Sequence, residues 1–297
     1  MSCDSLWRVA FEVPDAAMPA VLDALEHEGQ SVSAFEADDA DGLAVERWRV
    51  EVVYAPPFDE AAAIERIRAR CATAGWPDVD PVTSELPADA WLGAASLVYP
   101  PIRAGRFVVH PAGTPAAELP EGIRVQIEAG LAFGSGAHPT TQGCLMLLDE
   151  TLRRTRRLRR ILDLGCGTGV LGIAAAKAVP ARVVLADNDP VAVRVANENA
   201  AINRVAGRAR AIRSEGLSHP QVRRRGLFDL VMANILADPL CMMARDISRV
   251  LAPGGAAILS GLIGPQAPRV AGAFHAAGLP LRRRLDLGPW TTLLVAR

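Results

Sequence analysis

The sequence contains a single lysine, Lys177, so arginine supplies 31 of its 32 basic residues. Mechanisms that need a lysine Schiff base therefore have one candidate, and it falls on the face of a predicted helix. Aromatic residues make up only 5% of the chain, and the formal net charge is −1. A nearly neutral chain has no overall electrostatic attraction to nucleic acid or to an acidic membrane. We therefore expect that direct nucleic-acid binding is not required.

Cysteine and histidine are also scarce. The five cysteines are odd in number and far apart, which argues against a disulfide framework and a zinc cluster. The five histidines show no metal-ligand spacing, so no metal site is expected. No apolar run approaches the ~20 residues that span a bilayer, and the first residues include Asp4 and no long apolar core. We expect no signal peptide, no membrane contact and a cytoplasmic location.

What the sequence does have is a glycine-rich turn after an apolar strand. Residues 161–169 read Ile-Leu-Asp-Leu-Gly-Cys-Gly-Thr-Gly, and a segment of small residues with helical character follows. Alternate glycines let a ligand lie against bare backbone, and a helix N-terminus offers free N–H groups. The next apolar run ends at Asp187, whose carboxylate can accept hydrogen bonds from both ribose hydroxyls of a nucleoside. The middle of the chain therefore predicts a nucleoside site.

Two ligands fit this pattern. Residues 167–172 satisfy G-x-G-x-x-G, and Asp187 follows about 20 residues on, as a nicotinamide dinucleotide site requires. Residues 163–169 equally satisfy D-x-G-x-G-x-G, the pattern of class I methyltransferases that bind S-adenosylmethionine. Asp163 favours the methyltransferase, because its carboxylate would repel a pyrophosphate but tolerates a cationic sulfur and an amino group. A nicotinamide oxidoreductase remains the alternative from this segment.

The chain divides into three stretches by pattern. Residues 1–85 follow the order β-α-β-β-α-β of a ferredoxin-like sandwich, which predicts a small α+β domain for substrate recognition. Residues 86–122 are rich in proline and glycine and are interpreted as a linker. Residues 123–297 alternate strands and helices, beginning with a strand at 123–129, which predicts a Rossmann-like catalytic domain with a mainly parallel sheet.

The end of the chain favours the methyltransferase. Strands are predicted at 281–287 and 290–296, joined through Gly288-Pro289 without a helix, so they must pair antiparallel. We expect one reversed strand at an edge of the sheet. A nicotinamide domain would normally continue with another helical crossover.

Two further segments are predicted to contact the ligand. Pro139 suits the first turn of a helix, which places Thr140 and Thr141 where their hydroxyls can reach the carboxylate of an amino-acid moiety. An apolar strand delivers Asn234 to its C-terminal tip, the edge at which open parallel sheets bind ligands. His138 is interpreted as a turn residue rather than a base.

These motifs together resemble the ribosomal protein methyltransferase family PrmA, whose members modify large-subunit protein L11. The similarity is carried by Ala-Phe-Gly-Ser-Gly-Ala-His-Pro-Thr-Thr at 132–141, Asp-Leu-Gly-Cys-Gly-Thr-Gly at 163–169, Asp-Asn-Asp-Pro at 187–190, Ala-Asn-Ile-Leu at 233–236 and Leu-Ala-Pro-Gly-Gly at 251–255. The resemblance implies methyl transfer from S-adenosyl-L-methionine to an N-terminal α-amine or a lysine of L11, with the target docked by the N-terminal domain.

The resemblance also implies roles for single residues. It implies that Phe133 lies near the reacting centre and that the cofactor is contacted by Thr141, Gly165, Asp187 and Asn234. The glycine turn and the threonine pair add further cofactor-binding candidates, namely Thr140, Asp163, Gly167 and Gly169. Asn234 is the candidate catalytic residue, because its side-chain carbonyl can accept a hydrogen bond from an amine.

Two alternatives remain within methyl transfer. A related family methylates lysines of the electron transfer flavoprotein β subunit. An RNA or a small molecule is the other alternative, with slight support from arginine runs such as 153–160, 223–225 and 282–284. Such runs are more simply interpreted as solvated loop and helix ends.

Overall fold

A computed structural model describes residues 6–14, 16–25, 28–29, 31–36, 47–86, 101–128, 138–155, 158–224 and 227–297. The chain forms two compact units, one within residues 1–94 and one within residues 95–297. Within the ranges described, no helix is long and apolar enough to cross a membrane.

The first unit has a four-stranded antiparallel sheet and two helices. Its chain order is β1 (Leu6–Pro14), α1 (Met18–Leu25), β2 (Ser31–Glu36), β3 (Arg47–Tyr54), α2 (Glu60–Thr73) and β4 (Val82–Leu86). The strands lie in the order β2-β3-β1-β4, and each neighbouring pair is antiparallel. The ferredoxin-like arrangement predicted for this part of the chain is confirmed.

Alternation along the strands buries one face of this sheet. Residues at every second position point to the same side of a strand, and the buried ones include Val9, Phe11, Val13, Trp48, Val50 and Val52. The buried carboxylate of Glu28 accepts a hydrogen bond from the Tyr54 hydroxyl at 3.0 Å and pairs with Arg66 and Arg70. These partners offset the cost of burying its charge, so the cluster is explained by structure alone.

A small three-stranded sheet begins the second unit. It contains β5 (Ile102–Ala104), β6 (Phe107–His110) and β7 (Ile123–Gln126), with β5 antiparallel and β7 parallel to β6. The sequence predicted that the strand at 123–129 belongs to the main sheet, and this is wrong. Phe107 and Val109 of β6 are fully buried, and β7 pairs with this apolar strand instead.

The main sheet has seven strands and helices on both faces. Its elements are α3 (Pro139–Arg154), β8 (Arg160–Leu164), α4 (Val170–Ala178), β9 (Arg182–Asp187), α5 (Pro190–Ile202), β10 (Ala209–Arg213), β11 (Phe228–Asn234), α6 (Ala237–Val250), β12 (Leu251–Ile263), α7 (Ala267–Ala276), β13 (Leu281–Leu287) and β14 (Trp290–Ala296). The strand order is β10-β9-β8-β11-β12-β14-β13. The predicted Rossmann-like architecture is confirmed.

The position of the reversed strand needs a correction. β14 is antiparallel to both of its neighbours, as expected, but it lies between β12 and β13 rather than at the edge. The physical reason is burial: Leu293 and Val295 of β14 are 1% and 0% exposed, whereas Arg282, Arg283 and Arg284 of β13 are exposed. A charged strand suits an edge, where it discourages pairing with other sheets.

Two apolar clusters cover the two faces of the main sheet. One includes buried residues of α3, α4 and α5, and the other includes those of α6 and α7. Helix α4 lies very close to β9, because a Cβ added to Gly172 would stand 2.1 Å from the Leu185 Cδ2 atom. This close approach requires a residue without a side chain at position 172.

Ion pairs account for several of the arginines. Arg153 and Arg154 pair with Asp149 and Glu150, one turn earlier on α3. Burial alone would raise the pKa of Asp149, but hydrogen bonds from Arg153 and Arg106 lower it overall. These contacts agree with the interpretation of the arginine runs as solvated ends of elements.

Candidate active site

The candidate site lies at the carboxyl ends of the parallel strands. Chain order reverses between β8 and β11, which are neighbours in the sheet, and open sheets bind ligands at such a switch point. A crevice of about 870 Å³ lies there, and its wall includes Gly165, Asp187, Ser214, Ile235 and Met243. This volume is within the range of small-molecule sites. The structure thus brings Gly165 and Asp187 together, as the sequence predicted.

The glycine turn adopts backbone angles that other residues disfavour. Gly165, Gly167 and Gly169 have φ values of +69°, +51° and +82°, in the left-handed region that glycine enters at little cost. The backbone N–H of Gly167 donates to the Asp187 Oδ2 at 2.9 Å. The N–H of Gly165 donates to the Ala186 carbonyl at 2.8 Å. The turn is therefore tied to the tip of β9.

Asp187 ends β9 at the edge of the crevice. Its Oδ2 accepts from Gly167, and its Oδ1 accepts from the backbone N–H of Asp189 at 3.0 Å. Each carboxylate oxygen can accept more than one hydrogen bond, and the side chain borders the crevice. The chemistry of these donors and acceptors fits the ribose of a nucleoside. The fit supports the nucleoside site that the sequence predicts.

Asp163 occupies a different environment from the one expected. It is 1% exposed, and its Oδ2 accepts the backbone N–H of Gly172 at 2.8 Å. The pKa of Asp163 is raised to about 7, because burial and the nearby charge of Asp187 raise it by more than the hydrogen bond from Gly172 lowers it. The side chain therefore stabilises the first turns of α4 from below, and it is not part of the crevice wall described above.

Asn234 meets the threonine pair at the next strand tip. Its Nδ2 donates to the Thr140 Oγ1 at 3.2 Å and to the Thr141 Oγ1 at 3.4 Å. Both threonines lie in the first turn of α3 and are buried. Asn234 ends β11, which pairs with β8, the strand that precedes the glycine turn. The next residue, Ile235, lines the crevice. The predicted polar residues of the two segments therefore form one cluster.

His138 is the N-cap of α3. Its Nδ1 accepts the backbone N–H of Thr140 at 3.3 Å and lies 2.7 Å from the Thr140 Oγ1. Burial lowers the pKa of His138 to about 4. A ring with this pKa is neutral at neutral pH and binds protons too weakly to serve as an effective base. The geometry agrees with the interpretation of His138 as a turn residue.

One predicted residue cannot be placed. Phe133 belongs to residues 129–137, which lie outside the described residues. Its predicted position near the reacting centre stays a prediction.

Sequence reasoning missed one wall of the crevice. Ser214, Gly216 and Leu217 follow β10, and Met242 and Met243 belong to α6. The signal was present in part, because β10 pairs in parallel with β9, so residues after both strands reach the same edge. Met242 is 83% exposed, which nothing in its helical pattern indicated.

Metal ligands are not grouped at this site. In the parts of the chain that the structure covers, no three His, Cys, Asp or Glu side chains lie together so that they could hold a metal ion. The groups present can bind a diol, surround a small organic ligand with backbone and apolar side chains, and present an amide oxygen to an amine.

Comparison with known proteins agrees with this geometry. The chain is 42% identical to a ribosomal protein L11 methyltransferase of Bradyrhizobium diazoefficiens, over 98% of this chain and 97% of that protein. It is 41% identical to the protein of the same name from Rhodopseudomonas palustris, over 90% and 88%. Among solved structures, a ribosomal protein L11 methylase from Lactobacillus delbrueckii subsp. bulgaricus matches with a TM-score of 0.59 and 27% identity, covering 67% of this chain and 99% of that one.

The family match extends over almost the whole chain and excludes the nicotinamide oxidoreductase alternative. Residues 5–297 match the family described as ribosomal protein L11 methyltransferase (PrmA). The chain belongs to the ribosomal protein L11 methyltransferase family.

Proposed function

We propose that this chain is an S-adenosylmethionine-dependent protein N-methyltransferase that methylates amino groups of ribosomal protein L11. The groups are the N-terminal α-amine, lysine ε-amines, or both. The observation that supports this most is the position of Asn234, which joins the threonine pair of α3 to the strand tip beside the crevice. Relatives of similar length with the same name support the choice of substrate.

S-adenosylmethionine supplies an already activated methyl group, so the protein mainly positions the reactants. Asp187 would bind the ribose hydroxyls of this cofactor. The bare backbone of Gly165, Gly167 and Gly169 would leave room for it, and the residues nearest its amino-acid end would be Thr140, Thr141, Asn234 and Phe133. Asp163 would not contact the cofactor. It would stabilise the start of α4 by accepting the hydrogen bond from the Gly172 N–H.

The target amine must be neutral to attack. An α-amine has an ordinary pKa of about 8 and is partly neutral in the cell, whereas a lysine near about 10.4 needs desolvation to lose its proton. Asn234 Oδ1 and the backbone carbonyl of Ile235 would accept the amine hydrogens and direct its lone pair toward the methyl group. A strong base is not needed for this step, which agrees with the low pKa of His138.

The first unit would supply recognition of the protein target. The buried ionic cluster around Glu28 is satisfied internally, and the other side chains described in this unit form no site with an evident chemistry. Deleting residues 1–85 is expected to abolish methylation of intact L11 while sparing cofactor binding measured by calorimetry. If the protein that lacks residues 1–85 methylated intact L11 at the wild-type rate, this role would be contradicted.

Because ribosomal proteins are made and assembled in the cytoplasm, we place the enzyme there.

The direct test uses labelled cofactor. The enzyme is incubated with methyl-labelled S-adenosylmethionine and an extract of ribosomal proteins, and the labelled band is identified by mass spectrometry. We expect L11 to be labelled on amino groups, and purified electron transfer flavoprotein β subunit to stay unlabelled in a parallel reaction. Labelling of another protein, or of RNA, in place of L11 would contradict the proposal.

A further inference from the structure

A short series of hydrogen bonds runs from the start of α3 to the tip of β11. The Asn234 Nδ2 lies 3.2 Å from the Thr140 Oγ1, which lies 2.7 Å from the His138 Nδ1. The backbone N–H of Thr140 also meets this Nδ1, at 3.3 Å. Thr140 is only 2% exposed, so water has little access to its hydroxyl.

The direction of each bond follows from the available hydrogens. A backbone N–H only donates, so the Nδ1 of His138 must offer a lone pair. The hydroxyl of Thr140, at the shorter distance, shares this lone pair with the N–H and gives its single hydrogen to Nδ1, so toward Asn234 it can only accept. The Asn234 atom that meets this hydroxyl must be Nδ2, which leaves Oδ1 as the other end of the carboxamide.

We propose that His138 is a positioning residue, which sets the orientation of the Asn234 carboxamide through the hydroxyl of Thr140. The inference rests on the proposed function, in which Asn234 Oδ1 accepts a hydrogen from the substrate amine. Without an acceptor at position 138, the Thr140 hydroxyl can donate to Asn234 and the carboxamide can turn over. Its NH₂ group would then bind the lone pair of the amine, which is the pair that must attack the methyl group.

The surroundings of His138 keep its ring in the accepting form. The ring packs edge-on against Trp290, with the centroids 4.6 Å apart and the planes at 68°. Burial holds the pKa of His138 near 4, so the ring is neutral at neutral pH and has one N–H. The contacts at Nδ1 place that hydrogen on Nε2.

The kinetic test uses the full-length enzyme, L11 and two variants. His138→Ala removes the acceptor and is expected to lower kcat at least about tenfold, with KM and the cofactor Kd changed by less than about twofold. His138→Asn restores an acceptor and is a good N-cap, so it is expected to recover most of kcat. Thermal unfolding of both variants shows whether they are folded at the assay temperature. Equal kcat for His138→Ala and wild type, or no recovery in a folded His138→Asn, would overturn the proposal.

A second measurement does not depend on activity. In ¹⁵N-histidine spectra of the wild-type protein at neutral pH, with His138→Asn identifying the signal, we expect a neutral ring protonated on Nε2. A hydrogen on Nδ1 would overturn the proposal whatever the activity. Wild-type protein that shows the expected tautomer but does not methylate L11 would refute the proposed function. Active wild type with an unaffected His138→Ala would refute this inference alone.

Discussion

Gly261 lies so close to Ile235 that a Cβ on Gly261 would stand 2.3 Å from the Ile235 carbonyl oxygen. Gly165, which directly follows β8, also approaches Ile235, with a Cβ position 2.4 Å from the Ile235 Cγ2. Two glycines thus fix the place of a residue whose carbonyl, in the proposed reaction, accepts a hydrogen from the amine. The backbone after Asn234 has little freedom to move.

Gly261→Ala is therefore expected to impair both stability and activity. Its φ of +85° is unfavourable for alanine by about 1–2 kcal/mol, and the contact with the Ile235 backbone adds about 1–3 kcal/mol. Displacement of the Ile235 carbonyl is expected to lower kcat as well. Chemical unfolding and steady-state kinetics measure the two effects.

Gly254→Ala is the matched control for this change. Gly254 lies on the same strand, β12, and has a φ of +73°, but no atom lies within 4 Å of its Cβ position. This variant is expected to lose only the stability that the unfavourable φ costs an alanine, about 1–2 kcal/mol, and to keep its kcat. Equal behaviour of the two variants would contradict the importance of the Ile235 contact.

Asp187→Asn is expected to weaken binding of S-adenosylmethionine by about 1–3 kcal/mol, because a charged acceptor of hydrogen bonds is lost. The amide NH₂ would also face a backbone N–H that the carboxylate now accepts, from Gly167 or from Asp189. Isothermal calorimetry measures the affinity.

Asp189→Asn provides the comparison for Asp187→Asn, since it removes the same charge two residues away. Asp189 is the N-cap of α5, and its Oδ1 accepts the N–H of Val191 at 2.8 Å. Asparagine keeps this cap, so the affinity is expected to stay near that of wild type. Unchanged affinity in Asp187→Asn would reject its role at the ribose.

Asn234→Ala is expected to lower turnover on the order of 10²-fold, as judged from other positioned polar groups. Asn234→Asp keeps an oxygen at the site but places an acceptor opposite the hydroxyl of Thr140, whose hydrogen is bound to His138. We expect this variant to stay impaired as well. Single-turnover rates with saturating L11 test both, and full activity of the alanine variant would remove Asn234 from the mechanism.

Asp163→Asn is expected to change the pH dependence of stability. The folded pKa of Asp163 is about 7, against about 3.9 in an unfolded chain. Between these values the folded protein binds more protons than the unfolded one, so the wild type loses unfolding free energy as pH rises. Asparagine does not titrate and still accepts the hydrogen bond from Gly172. The free energy of unfolding of the variant therefore rises relative to that of the wild type as pH increases, by at most about 4 kcal/mol.

Denaturant unfolding of both proteins between about pH 5 and about pH 8 checks this sign. The stability difference, variant minus wild type, should increase steadily with pH. A constant difference would show that Asp163 is ionised throughout, and a decreasing one would reverse the assigned direction of its pKa.

Much of the fold could be predicted because strand tips can be read from a sequence. Apolar runs that end in a polar residue placed Asp187 and Asn234 at the carboxyl edge, and both lie there. Alternation could also have placed Asp163 correctly. Asp163 shares a strand face with Ile161, and Ile161 packs in the cluster that includes α4. The Asp163 side chain therefore points toward this helix rather than toward the ligand.

Other features depend on contacts that one sequence does not display. Asn234 meets Thr140 across 94 residues of chain, and no local pattern links the two. The choice of β6 rather than the main sheet as the partner of β7 also depends on tertiary burial. The interior place of β14 was partly readable, since three consecutive arginines mark β13 as the more exposed strand.

The interior place of β14 has a consequence for synthesis of the protein. Until residues 290–296 have left the ribosome, the hydrogen-bonding groups along β12 that pair with β14 have no partner, and β13 has no strand to join. Nascent chains at this stage expose an unpaired strand, which is prone to associate with other chains. A chain interrupted before Trp290 is accordingly expected to aggregate rather than to persist as a shortened enzyme.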